Sequence, residues 1–164
     1  MKRKPNYFEK GLKIAIVIVF IAIIAVVAIN TFGPSSTEIQ MLGVSLVVPD
    51  DGGFDSNSKY NVYSTYMGKN NEWFVTAINT ANVNYTDSKQ VDYLNEFNAT
   101  KNSDMTYSEK TSNDGVPLYR TGSGVVAYFK VNSIDFKVSG SEDTVMSIIN
   151  SIKDLNKGSS IVFN

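Results

Sequence analysis

Cysteine and histidine are both absent from this 164-residue chain. Without cysteine there is neither a disulfide nor a thiol nucleophile. Without histidine the commonest metal ligand and general base is gone. Zinc sites built on histidine or cysteine, histidine-containing triads and haem ligation by histidine go with it. Eukaryotic extracellular domains of this size often carry disulfides, so their absence favours a prokaryotic cell surface. Basic charge is thin over most of the length. Of the 15 Lys and Arg, five lie within the first 13 residues and the next is Lys59; of the 16 acids, only Glu9 lies there. Ten basic residues against 15 acids leave residues 33–164 with a net charge of −5 and no basic run, which argues against nucleic acid as a partner.

The N-terminus is the reverse case. From Ile14 to Ile29, 16 apolar residues follow one another, with Leu12 before them and Asn30-Thr31-Phe32 after them. About 20 apolar residues cross a bilayer and about 10–14 do not. The run predicts a transmembrane helix over 12–32, with the lipid bilayer as its partner. The flanking charge puts the N-terminus in the cytoplasm and Gly33 to Asn164 outside. Two alternatives attach to this segment. A cleaved signal peptide would use Val26-Val27-Ala28, although the apolar stretch is long for one. Lys10-Gly11 ahead of an apolar helix resembles the class III signal of type IV pilin-like proteins; Ile16 stands where that pattern usually has glutamate.

Beyond the span, Gly33-Pro34-Ser35-Ser36-Thr37 opens a linker, and the remaining length suits one domain. Strands are expected over Gly43 to Val48, Tyr60 to Met67 and Glu72 to Thr80, the last two as a hairpin across Gly68-Lys69-Asn70-Asn71. "PDDGGFDSNS" reads as a loop. Asp87 to Ala99 reads as a helix, with Asp87 and Gln90 at capping-box spacing and Val91, Leu94 and Phe97 on one face. Met105 to Lys110 alternates like a polar strand, and Asn113-Asp114-Gly115 is a turn before a strand at Val116 to Thr121. Val125 to Val131 and Ile134 to Val138 form a hairpin across Asn132-Ser133. Phe136 faces the core, while Asp135 and Lys137 face solvent. A helix closes the chain. Its cap is Ser139 or Ser141, and its stripe is Val145, Ile148, Ile149, Ile152 and Leu155. The expected architecture is α+β: a transmembrane helix, then a mostly antiparallel sheet of about seven strands with two helices packed on one face. The expected divisions are a basic tail 1–11, the span 12–32, a linker 33–42, the outer domain 43–158 and a tail 159–164.

Two stretches carry a resemblance. "MLGVSLVVPDDGGF" resembles the opening of small single-span surface proteins of unknown function. "VAYFKVNSIDFKVSGSEDTVMSIINSIK" is similar to the close of PsbP-like or anti-sigma-factor-associated membrane modules, which end in a two-strand hairpin, a polar turn and a helix. The likeness implies an α+β outer domain and brings no catalytic residues.

Asp50, Asp51, Asp55 and Asn57 crowd a Gly-rich loop of the kind calcium uses, but without EF-hand spacing, and a solvated turn explains them as well. Ser56-Asn57-Ser58-Lys59 matches S-x-x-K without its companions S-D-N and K-T-G. No pair among the outer acids is marked out for glycoside hydrolysis. Tyr60, Tyr63, Tyr66, Trp73 and Phe74 put aromatics on both faces of one hairpin, which suggests a sticky exposed face. Asn84-Tyr85-Thr86 and Asn98-Ala99-Thr100 are glycosylation sequons. No catalytic, metal or cofactor residue is assigned. The expected function is a membrane-anchored, extracytoplasmic binding module with a protein or cell-surface glycan partner, not an enzyme. The alternatives are a pilin-like subunit and a carboxylate-based cell-wall hydrolase.

Overall fold

The computed structural model describes residues 35–58 and 60–164. Residues Thr37–Asn164 form one compact unit. Within it β1 (Ser36–Met41) and β2 (Val44–Pro49) make a separate two-stranded hairpin, turning through Leu42 and Gly43, both at positive φ. The main sheet has the order β3 (Gly52–Asn57), β4 (Tyr63–Gly68), β5 (Phe74–Asn79), β9 (Ile134–Gly140), β8 (Gly124–Val131), β7 (Val116–Thr121), β6 (Lys110–Asn113). Every pairing in it is antiparallel. β10 (Ile161–Phe163) adds to β8 beyond the point where β7 leaves it. The helices are α1 (Ser88–Tyr107) and α2 (Glu142–Leu155).

Period-2 alternation explains why there are two cores. On β8 and β9, Val125, Ala127, Phe129, Phe136 and Val138 point to one face, where Val145, Ile148, Ile149 and Ile152 of α2 meet Leu46 and Val48 of β2. Phe129 and Phe136 are cross-strand partners with stacked rings 5.4 Å apart. Val126 and Tyr128 point to the other face, with Tyr63, Ile78 and Tyr119, and α1 lays Leu94 and Phe97 over them. The two helices therefore lie on opposite faces of the sheet.

This corrects the expected architecture. Both helices are expected on one face because the element order shows no sustained strand–helix alternation. The hairpin β1–β2 takes the place beside α2, and the odd-even pattern of β8 leaves a second apolar face that only α1 covers. Ten strands are present among the described residues where about seven were expected. No helix among the described residues is long and apolar enough to cross a membrane. The transmembrane, single-pass and signal-anchor expectation, with its bilayer partner, falls on 12–32, outside the described residues. What the structure describes is a mostly antiparallel β domain with two helices and no membrane-crossing helix.

Local differences follow from the same packing. The segment Met105 to Tyr107 is helical, because Met105 reaches the α1 core. Ser141 caps α2 and accepts from Thr144 N, while Ser139 is committed to β9 opposite Phe74. The expected loop after Pro49 is a two-residue turn and the edge strand β3, with a bulge between Phe54 and Ser56. The expected linker 33–42 holds β1 and the expected tail 159–164 holds β10.

Candidate functional site

β9 carries Asp135, Lys137 and Ser139 on the α1 face, between the apolar residues of the other face. Strand pairing sets Lys137 beside Tyr128 on one side and Thr76 on the other. Only the middle of this face is covered by α1. At its end the sheet leaves a groove of about 490 Å³, walled by Asn71, Glu72 and Phe74, by Asp104 of α1, and by the adjoining ends of β7, β8 and β9. Thr121, Ser123, Ser139 and Ser141 line it, the Ser141 hydroxyl being held in the α2 cap, and Val126 is apolar floor. Gly124 lies so close to the Gly140 carbonyl that any Cβ would collide with it, so the end of the groove is backbone.

Lys137 dominates the groove. Its side chain keeps 15% of its exposure, and Nζ lies 5.2 Å from the Phe74 ring centroid and 5.9 Å from that of Tyr128. The nearest counter-charge, Asp104 Oδ2, is 3.9 Å away, too far for a hydrogen bond. That oxygen already accepts from the Tyr128 hydroxyl at 2.7 Å. Among the described residues nothing accepts a hydrogen bond from the Lys137 ammonium, a group with three donors. Burial pulls its pKa below the ordinary lysine value, and Asp104 and then Glu96 act against that shift. The Tyr128 phenol moves the other way, raised first by burial and then by its bond to Asp104 and that carboxylate's charge. The groove thus sets a largely buried ammonium, ion-paired with Asp104 and facing the Phe74 and Tyr128 rings, beside further carboxylate, amide and hydroxyl residues.

The residues singled out by sequence go elsewhere. Asp50 and Asp51 occupy the β2–β3 turn; Thr37 Oγ1 donates to Asp50, and Trp73 Nε1 donates to Asp51 Oδ1 at 3.2 Å. Asp55 and Asn57 sit on the exposed β3 edge. Among the described residues no group of three or more His, Cys, Asp and Glu could hold a metal. Ser56 pairs with Thr65 in the β3–β4 ladder, and Lys59 of the S-x-x-K match lies outside the described residues.

The aromatic hairpin has most of its rings covered. Tyr63 stacks on Tyr93 of α1 at 3.8 Å, Tyr66 and Trp73 enter the α2-side core, and Phe74 turns to the groove. Tyr60 is exposed. Asn84 and Asn98 are both exposed, the first ahead of α1 and the second within it. Sequence reasoning places Lys137 in solvent and gives Asp104 and Tyr128 no role at a site. The only available signal was the second apolar row, Val126 and Tyr128, which requires that face to be covered.

No family model, no curated protein and no solved structure matches the chain. The likeness to single-span surface proteins and to PsbP-like or anti-sigma-associated modules is therefore neither supported nor opposed by these comparisons.

Proposed function

We propose that this domain is a ligand-binding module whose groove takes a neutral, hydroxyl-rich ligand of the glycan class. The observation that carries this reading is the Lys137 ammonium, held in the groove 3.9 Å from the Asp104 carboxylate with no hydrogen-bond acceptor among the described residues. Charge selects the ligand. Two carboxylates, Glu72 and Asp104, oppose an anion, and Lys137 opposes a cation. A polyol meets both: one hydroxyl oxygen accepts from Lys137 while a neighbouring hydroxyl donates to Asp104. Phe74 offers an apolar edge to the C–H face of a sugar, and the hydroxyl and amide walls supply further partners. The groove holds neither histidine nor cysteine, so the chemistry favoured is binding rather than turnover.

The test is calorimetric titration of the full chain with a panel of neutral cell-surface oligosaccharides. One or more should bind, and Lys137→Met should weaken that binding by about tenfold or more, the loss of one charge-assisted hydrogen bond. Methionine keeps an unbranched apolar stem of similar length, and a melting curve of the variant confirms that it is folded. Binding that survives both Lys137→Met and Asp104→Asn, or no binding across the panel, would overturn the assignment.

A further inference from the structure

Two sequons are present, and the fold treats them differently. Asn84-Tyr85-Thr86 lies in the exposed turn that leads into α1, with Tyr85 71% exposed. Asn84 Oδ1 accepts two hydrogen bonds from Thr86, from the backbone N at 3.0 Å and from Oγ1 at 2.8 Å. The turn is held from behind: Asn84 N donates to Gln90 Oε1 at 2.8 Å, and Asp87 N donates to the Asn84 carbonyl at 3.0 Å. Nδ2 makes no hydrogen bond to any described residue and shares the exposed surface of the turn. Two donors on the amide oxygen draw density from the nitrogen and make its N–H protons easier to remove. Asn98 has the same triplet with a different geometry. It sits inside α1, where successive residues turn by about 100°, so residues two apart diverge. Thr100 Oγ1 is spent on the Glu96 carbonyl at 2.8 Å.

We infer that Asn84 is an acceptor site for an N-linked glycan and that Asn98 in the folded chain is not. The donor class is a polyprenyl-diphosphate oligosaccharide. In the transfer, Nδ2 of Asn84 forms a bond to the anomeric carbon. The bond from that carbon to the diphosphate oxygen breaks, the polyprenyl diphosphate leaves with its electron pair, and one amide proton passes to a base of the transferring enzyme. The Asn84 turn lies apart from the groove, so this site stands independently of the ligand-binding reading.

The test uses the purified, folded full-length chain and a donor oligosaccharide. The oligosaccharyltransferase is one already shown to glycosylate short peptides spanning each sequon. Intact mass and glycopeptide mapping should show one glycan, on Asn84. It should vanish in Asn84→Gln and Thr86→Val, and persist in Thr86→Ser and Asn98→Gln. Failure of the folded chain to accept any glycan, or transfer to Asn98 as readily as to Asn84, would overturn the inference.

Discussion

Lys137 shows what one side chain contributes when its neighbours are covered. Its folded pKa lies below the ordinary 10.5, because burial opposes the charge more than Asp104 and Glu96 favour it. A base in that state binds fewer protons folded than unfolded, so stability rises with pH up to about the unfolded value. Tyr128 has the opposite sign. Its phenol stays protonated in the fold above 10.0, where the unfolded chain begins to lose that proton, and stability falls there. Melting curves taken from about pH 8 to about pH 10 should therefore show the wild-type chain gaining on Lys137→Met. Above about pH 10, Tyr128→Phe should lose less stability than wild type. A wild-type-to-Lys137→Met difference that stays flat with pH would contradict the burial of the ammonium. The alternation around Lys137 was legible in the sequence, but what covers it was not. Asp104 lies in a stretch, "TKNSDMTY", with no apolar stripe to betray a helix, and its meeting with Tyr128 exists only in three dimensions.

At the scale of the element, capping was read well and extent was read poorly. Asp87 accepts from the backbone N of Lys89 and Gln90, as the sequence suggested, and Gln90 Nε2 returns to Asp87 Oδ2 at 3.0 Å. For α2 the choice between Ser139 and Ser141 was settled by strand pairing, since Ser139 lies opposite Phe74 and Val126 in the ladders. Asp87→Ala and Ser141→Ala should each lower unfolding free energy by about 0.5–2 kcal/mol, and Ser139→Ala should leave α2 capped. Urea denaturation at neutral pH measures all three, and equal losses at Ser139 and Ser141 would refute the cap assignment. Strand β3 escaped the sequence for a compositional reason. "GGFDSN" has turn residues throughout and one large apolar side chain, and only pairing with β4 makes it extended. Propensity gives no hint of a strand whose order is imposed by its partner.

For the whole molecule, the decisive fact is that one sheet carries two cores. β8 is buried at Val125 to Phe129 without interruption, the pattern of a strand covered on both sides. That pattern stands in the sequence, but an element order without sustained strand–helix alternation points to helices on one side and does not reveal the second cover. Phe136 is fully buried against α2's side, and Phe97 is 7% exposed under α1. Truncating a buried Phe costs about 3–5 kcal/mol. Phe136→Ala and Phe97→Ala should both lower the melting temperature, and within a single cooperative transition. A Phe97→Ala chain that melted like wild type would show that α1 adds no second core.

The order of strands also has a consequence for how the protein is made. β5 finds its second neighbour in β9, and α1, β6, β7 and β8 are encoded between them. A ribosome delivers β3, β4 and β5 well before β9, so the rim of β5, with Val75, Ala77 and Ile78, stays unfilled until residues 134–140 have left the exit tunnel. An unfilled rim of this kind recruits stray strands. Nascent chains stalled before Gly140 are therefore the species most in need of a holding chaperone, and the sheet closes as a late event of translation.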